Sequence, residues 1–257
     1  MKTRLTAWLI AAVSTFTAVP AEAIEFKVYE YMTPKKGEAE AAYWFTNVVK
    51  SENSYDYFGK TLDKEGLQRH SLEIEYGLTD HWTIAGYADF ENPVGGDFKY
   101  VQAKAVMTRY RFFEKGEGVV DGAVYVEYYI PYHKYSDTEK IETRVILQKD
   151  IGPVSLILNP IFEKNMSGDV EEGVELEYAA GIYFEDATPW VTPGLEFYGD
   201  VGPLGDLDSA ADQQHFVLPA AKINLPEEVS VDVGYGFGLT KGSDDQVLKV
   251  IIEKELE

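Results

Sequence analysis

The sequence predicts an all-β protein, a single antiparallel up-and-down barrel of about 12 strands. Residues 37–257 read as twelve stretches in which apolar and polar side chains alternate with the period of two that a strand imposes. The gaps between these stretches are alternately short and long. The polar members of each stretch include charged side chains in mid-strand. Tight turns at one end and larger loops at the other are typical of outer-membrane barrels, so we expect a transmembrane barrel.

The chain begins with the pattern of a secretory signal peptide. A positively charged start precedes the apolar run Leu5–Val19, and Ala21-Glu22-Ala23 matches a cleavage site. We therefore divide the chain into a cleaved signal peptide (1–23), an N-terminal segment (24–36) and the barrel (37–257). The sequence leaves three locations possible for the N-terminal segment. It lies in the lumen, pairs as a partial strand, or stays loose in the periplasm.

The composition excludes several classes of protein. A net charge of −21 argues against binding to nucleic acid. The absence of cysteine excludes disulfides, thiol catalysis and cysteine-ligated zinc. No segment after the signal peptide has about 18 uninterrupted apolar residues, so no transmembrane helix is expected. Aromatic residues make up 14% of the chain, as expected where Tyr and Trp ring a membrane interface.

The alternation divides each strand into two unlike faces. Between residues 119 and 132, Val124 and Val126 share one face, whereas Asp121 and Glu127 share the other. Twelve strands enclose more space than apolar side chains fill, so we expect the polar faces to line a lumen and the apolar faces to contact lipid. A soluble periplasmic β-protein with its apolar faces inward is the alternative.

Two sets of side chains follow from this orientation. The expected lumen-lining residues are Glu73, Glu75, Arg109, Arg111, Glu127, Glu142, Arg144, Asn159, Glu163, Glu175, Glu177, Glu196 and Lys222. The expected membrane-girdle residues are Tyr76, Trp82, Tyr110, Phe112, Tyr132 and Phe162.

The charged lining has two interpretations. In the structural one, acids such as Glu127 and Glu163 form a cross-strand ladder with Arg109, Arg111 and Arg144. In the functional one, the excess of carboxylates favours cations and repels anions. The two are compatible if the ladder leaves a gap.

No catalytic residue, metal site or cofactor is predicted. A barrel phospholipase needs His and Ser on one face of a strand, but His70 and Ser71 are neighbours and point to opposite faces. Asp89, Glu91 and His133 are a weak candidate for a protease site. We therefore expect a protein that is not an enzyme.

The outer loops are acidic. Because no 12-residue calcium loop is present, we expect these loops to be solvated. Binding of Ca²⁺ by their carboxylates is the alternative. The acids lie in three loops: Asp169, Glu171 and Glu172; Asp206, Asp208 and Asp212; and Asp244 and Asp245.

Two motifs resemble a known group. Pro34-Lys35-Lys36-Gly37 leads directly into Glu38–Val49, and Leu72-Glu73-Ile74-Glu75-Tyr76-Gly77-Leu78-Thr79-Asp80 runs a strand into a tight turn. Both are similar to Gram-negative outer-membrane barrels of the group associated with the meta-pathway of phenol degradation. The resemblance implies a barrel and the passage of small organic compounds, and it implies no catalytic residues. Such barrels usually finish on an aromatic residue, whereas this chain finishes with Leu256 and Glu257.

These observations favour a channel or uptake protein for small solutes, organic or cationic, in the bacterial outer membrane. The expected partners are outer-membrane lipids and lipopolysaccharide, the barrel-assembly machinery and the solutes themselves. The alternative is a non-conducting structural or adhesion-type barrel whose acidic outer loops bind partners or divalent cations.

Overall fold

A computed structural model of the chain describes residues 24–167, 173–185 and 187–256. The expected signal peptide (1–23) lies outside the described residues, as do Asp169, Glu171 and Glu172 of one acidic loop. None of the described residues belongs to a helix long and apolar enough to cross a membrane.

The described chain forms a closed antiparallel barrel of twelve strands and one separate two-stranded hairpin, which confirms the predicted fold class. The hairpin, β2 and β3, lies within the connection between the first two barrel strands. The strands are β1 (Ala39–Lys50), β2 (Ser54–Asp56), β3 (Thr61–Asp63), β4 (Gln68–Gly77), β5 (Trp82–Asn92), β6 (Lys99–Arg111), β7 (Asp121–Pro131), β8 (Lys140–Ile151), β9 (Val154–Asn165), β10 (Glu175–Phe184), β11 (Val191–Pro203), β12 (Gln214–Leu225), β13 (Val229–Gly238) and β14 (Gln246–Leu256).

The barrel closes between its first and last strands. Strand β1 pairs with β4 on one side and with β14 on the other, where Ala39 lies opposite Leu256. Every other barrel strand pairs with its neighbours in the chain. Full closure satisfies the backbone N–H and C=O groups of both edge strands, which a structure surrounded by lipid requires.

The connections are arranged as the sequence predicts. One end of the barrel, here the short-turn end, carries the connections after β4, β6, β8, β10 and β12. The other, the long-loop end, carries those after β1, β5, β7, β9, β11 and β13. The connection after β6 is an exception, because it is as long as or longer than the connections after β5, β7, β9 and β13. It spans residues 112–120, since β6 ends at Arg111 and β7 begins at Asp121. The tightest turn follows β8, where Gly152 has φ of +58°, a conformation that glycine adopts without strain.

The apolar faces of the strands point outward and the charged faces point inward. Ile74 and Leu158 expose 55% and 44% of their surfaces, whereas Glu127 and Arg144 expose 0% and 1%. A soluble β-protein would show the reverse. The soluble alternative is therefore wrong, since the buried interior holds ionised side chains and the exposed wall is apolar.

Candidate functional site: the barrel lumen

The N-terminal segment, residues 24–36, lies inside the barrel except at its end, where Lys35 and Lys36 are exposed. It enters at the short-turn end, where the Gly37 N–H donates to the Gly77 carbonyl over 2.9 Å. The Lys36 N–H donates to Asp80 Oδ1 over 3.2 Å at the same turn. Deeper in the lumen, Ile24, Phe26 and Val28 are buried in an apolar cluster with side chains of strands β9 to β12 and β14. Of the three positions left open by the sequence, the structure shows the first.

Two amide side chains of the wall hold the backbone of the segment. Asn159 accepts from the Tyr29 N–H at 2.7 Å and donates to the Tyr29 carbonyl at 3.1 Å. Gln148 accepts from the Tyr31 N–H at 2.8 Å. The amides take the place of a neighbouring strand, because the segment forms no ladder with the wall.

The aromatic residues of the segment lie among cationic side chains. The Arg144 guanidinium is 4.5 Å from the centre of the Tyr29 ring, and the Arg111 guanidinium is 5.5 Å from the Tyr31 ring. The Tyr29 hydroxyl lies 3.0 Å from the hydroxyl of Tyr87 on β5. Cation–π contacts of this kind strengthen when they are desolvated, as they are here.

Three ion pairs connect the segment to three different strands. Glu25 pairs with Lys104 of β6, Lys27 with Glu253 of β14, and Glu30 with Lys222 of β12. The segment is therefore fixed on several sides of the lumen, by contacts that water and salt can replace.

The expected lumen-lining residues all lie on strands, and most are buried. The half-buried ones are Glu175, Glu177 and Lys222. The buried ones are Glu73, Glu75, Arg109, Arg111, Glu127, Glu142, Arg144, Asn159, Glu163 and Glu196.

Several of these side chains form buried networks of ion pairs and hydrogen bonds. Arg109 Nη2 donates to both oxygens of Glu75 at 2.9 Å. Glu196 accepts from the hydroxyls of Tyr183 and Tyr198 at 2.7 Å. Lys249 Nζ lies 2.6 Å from the same carboxylate. Removing one partner from such a buried pair leaves an uncompensated charge and is strongly destabilising. Arg109 Nε has no hydrogen-bond partner among the described residues, so its set of partners is not complete.

The expected acid–arginine ladder forms only in part. Glu127, Glu142 and Glu163 lie directly opposite one another on β7, β8 and β9. Arg144 donates to Glu142 at 2.9 Å, but Arg109 and Arg111 do not join this row. Arg109 pairs with Glu75 as above, and Arg111 donates to the carbonyl of Asp80 at the short-turn end. The basic partners of the row therefore include Arg144 at Glu142 and Lys140, whose Nζ lies 3.0 Å from Glu163 Oε2.

The connection after β1 folds against the long-loop end. Tyr55, Tyr57 and Leu67 are buried there with Val48 and Val101. The Tyr57 hydroxyl donates to the carbonyl of Asp97 at 2.5 Å. Lys64 is buried in the same connection, and burial lowers the pKa of its ammonium group. Docking this loop therefore desolvates a charge, which opposes the gain from its aromatic contacts.

The expected girdle aromatics lie at the two ends of the wall. Tyr132 and Phe162 are half-buried towards the long-loop end. Tyr76, Trp82, Tyr110 and Phe112 are exposed near the short-turn end.

The four histidines all contact neighbouring side chains. His70 Nδ1 lies 2.6 Å from the hydroxyl of Tyr43, and His215 Nδ1 lies 3.0 Å from that of Tyr178. His81 Nε2 lies 3.0 Å from Glu114 at the short-turn end. His133 is exposed and meets the ring of Tyr132 edge-on, with ring centres 4.7 Å apart.

Sequence reasoning missed the residues of the N-terminal segment and the role of Gly77. A Cβ at Gly77 would lie 1.9 Å from the carbonyl oxygen of Lys35, so the segment passes this turn only because the residue has no side chain. In this segment Ile24, Phe26 and Val28 alternate with charged residues, and this pattern indicates an extended segment with one apolar and one charged neighbouring surface.

Comparisons with known proteins support the fold. No protein-family model and no curated protein matches the chain. The COG4313 outer membrane channel from Pseudomonas putida F1 is similar in structure, with a TM-score of 0.61 and 11% identity over 90% of this chain and 100% of that one. At this identity the similarity shows the fold alone, which is that of Gram-negative outer-membrane barrels.

Two other solved barrels are more distant. LpxR from Salmonella typhimurium has a TM-score of 0.44 and 10% identity over 84% of this chain and 99% of that one. The translocator domain of the autotransporter NalP from Neisseria meningitidis has a TM-score of 0.45 and 8% identity over 86% and 88%. TM-scores this low carry no conclusion about the present chain.

Proposed function

We propose that this protein is an outer-membrane channel or uptake protein for small solutes, and that its N-terminal segment closes the lumen. The observation that carries the proposal is the nature of the closure. The lumen is filled by a segment that is not one of the wall strands. It is held by hydrogen bonds and ion pairs to the charged lining and by one apolar cluster. When the segment leaves, the same lining becomes the wall of a water-filled pore.

The lining suits water once the segment has moved. Charged side chains such as Glu253 and Lys222 exchange their partners on the segment for water. The wall patch that Ile24, Phe26 and Val28 cover is apolar, and the cost of exposing it to water favours the closed state. A polar cavity of about 350 Å³ already lies beside the segment, bordered by Lys27, Glu40 and Asp232. A barrel that served only as a scaffold would gain more from an apolar filling, because buried ion pairs are weak contributors to stability.

The excess of carboxylates in the lining supports a preference for cationic solutes. Rings of Asp and Glu in a pore attract cations and repel anions. The apolar outer wall supports insertion in the outer membrane, with lipids and lipopolysaccharide as its surroundings and the barrel-assembly machinery as the partner that inserts it. The resemblance to barrels of the phenol meta-pathway group supports small organic compounds as a second class of solute.

A non-conducting barrel is the second candidate, and the filled lumen favours it. In that case the segment is a permanent part of the interior, and function lies in the acidic loops of the long-loop end.

Conductance in planar bilayers separates the two candidates. We expect the full chain to show rare openings, and a variant lacking residues 24–34 to conduct steadily. A variant lacking residues 206–211 is the control, because it shortens an exposed loop of the long-loop end and leaves the segment in place. A truncated protein that inserts and keeps its heat-modifiable mobility, yet never conducts, would contradict the channel and favour the second candidate.

Ion selectivity tests the lining itself. In the truncated background, the double substitution Glu127→Gln, Glu163→Gln is expected to weaken the preference for cations. Asp206→Asn removes a charge from the exposed loop and is expected to leave the preference unchanged. Equal selectivity in the two variants would show that these glutamates do not select ions.

A further inference from the structure

We propose that Glu25, Glu127 and Glu142 form a calcium site in the lumen, which fastens the N-terminal segment to the wall. One carboxylate oxygen from each residue lies within 4.8 Å of the others. Oxygens that share one Ca²⁺ each lie about 2.3–2.6 Å from it, so they are at most about 5 Å apart. The three carboxylates therefore already have the spacing of a shared ion.

The second observation concerns unsatisfied oxygens. Within the described part of the chain, neither oxygen of Glu127 has a hydrogen-bond partner, although the side chain is completely buried. Oε2 of Glu25 is likewise buried without a partner there. Buried carboxylate oxygens almost always have donors or metal ions, so both orphaned groups call for a ligand at this point.

Charge at the cluster points to a cation. Glu127 and Glu142 lie directly opposite each other on β7 and β8, a placement of like charges that is destabilising without a counter-ion. Two bases are in contact with the cluster: Lys104 pairs with Glu25, and Arg144 donates to Glu142. Three carboxylates against two bases leave a surplus of negative charge, which a divalent cation reverses.

The ligand chemistry selects calcium. The ligands are carboxylate oxygens, the chain has no cysteine, and the cluster includes no histidine, so soft and borderline metals are disfavoured. Ca²⁺ accepts an irregular set of oxygens completed by water, whereas Mg²⁺ demands a near-ideal octahedron. Three carboxylates from two wall strands and a segment without regular structure form an irregular set, which suits Ca²⁺ better than Mg²⁺.

The position of the cluster gives the ion a regulatory role. Glu25 belongs to the N-terminal segment, whereas Glu127 and Glu142 belong to the wall, so a shared ion adds a link between the two. Bound calcium then keeps the lumen closed, and its removal favours release of the segment. This consequence rests on the proposed function, but the binding site itself does not.

Calorimetric titration of CaCl2 into the full-length protein in detergent, stripped with a chelator, tests the site. We expect one saturable site, and we expect its affinity for calcium to fall at least about tenfold in Glu127→Gln. Even the loss of a residue that only hydrogen-bonds to a metal ligand lowers metal affinity by about tenfold or more. Asp206→Asn, in an acidic outer loop, is the matched control and is expected to bind as the parent does. The proposal is overturned if the parent binds no calcium, or if Glu127→Gln binds it equally well.

Thiol labelling then tests the fastening. Because the chain has no cysteine, Val28→Cys places a single buried thiol on the segment. We expect calcium to slow its reaction with a maleimide in the parent background and not in Glu127→Gln. Equal slowing in both backgrounds would overturn the fastening role.

The outcomes keep the two proposals apart. Calcium binding that depends on Glu127, in a protein that never conducts even after truncation, leaves the site standing and removes the channel. If the truncated protein conducts but the full chain binds no calcium, the channel stands and the calcium site is removed.

Discussion

Replacing Asn159 with alanine is expected to release the N-terminal segment without unfolding the barrel. The side-chain amide makes two hydrogen bonds to the Tyr29 backbone, at 2.7 and 3.1 Å, and both residues are buried. Truncation leaves a buried N–H and a buried C=O without those partners. Each such group costs about 1–3 kcal/mol, so the closed state loses at least about 2 kcal/mol, or about 30-fold in the ratio of released to bound segment.

Labelling of Val28→Cys measures this ratio directly. When the segment opens and closes faster than the reagent reacts, the labelling rate is proportional to the released fraction. We therefore expect Asn159→Ala to raise the rate about 30-fold, while the heat-modifiable gel mobility of the barrel stays unchanged.

Asn165→Ala is the matched control for this experiment. Asn165 lies near the end of the same strand, where it forms no hydrogen bond to the segment among the described residues. Its substitution is expected to leave the labelling rate at the parent value. If Asn159→Ala also labelled at that rate, the amide contacts would contribute nothing to closure, and the account of how the segment is held would be wrong.

Two further predictions concern the anchor turn and the buried ion pairs. Gly77→Ala places a Cβ 1.9 Å from a backbone oxygen of the segment, so it is expected to speed labelling, whereas Gly86→Ala, whose Cβ would meet nothing nearer than 3.7 Å, is not. Labelling that is equally fast in both variants would contradict this. Glu75→Gln breaks the buried pair with Arg109 and is expected to cost about 3 kcal/mol of unfolding free energy in a urea titration. Lys50→Ala, which removes an exposed pair, is expected to leave the midpoint unchanged, and equal midpoints in the two variants would refute the stabilising role of the buried one.

The sequence was most informative where the structure depends on neighbours in the chain. Alternation in residues 119–132 already assigned Glu127 to one face and Val126 to the other, and the structure confirms both. The order of short and long connections followed from the same reading. One local error, the early start of β7, arose because Val119 and Val120 continue the apolar pattern into a turn where they are exposed.

The sequence was least informative about partners across the lumen. Arg109 and Arg111 were expected beside the glutamate row, but one pairs with Glu75 and the other reaches the turn at Asp80. The stagger of the strands around the closed barrel determines which inward side chains meet. The alternation within a single strand does not specify that stagger.

The sequence alone determined the class of the fold, the direction in which each strand faces and the two unlike ends of the barrel. These follow from a two-residue period and from hairpins between adjacent strands, which are local properties of the chain. Only the tertiary structure decided what fills the lumen and which carboxylates are left without partners. Contacts such as Lys27 with Glu253 join the two ends of the chain, and they exist only after closure of the barrel has brought those ends together.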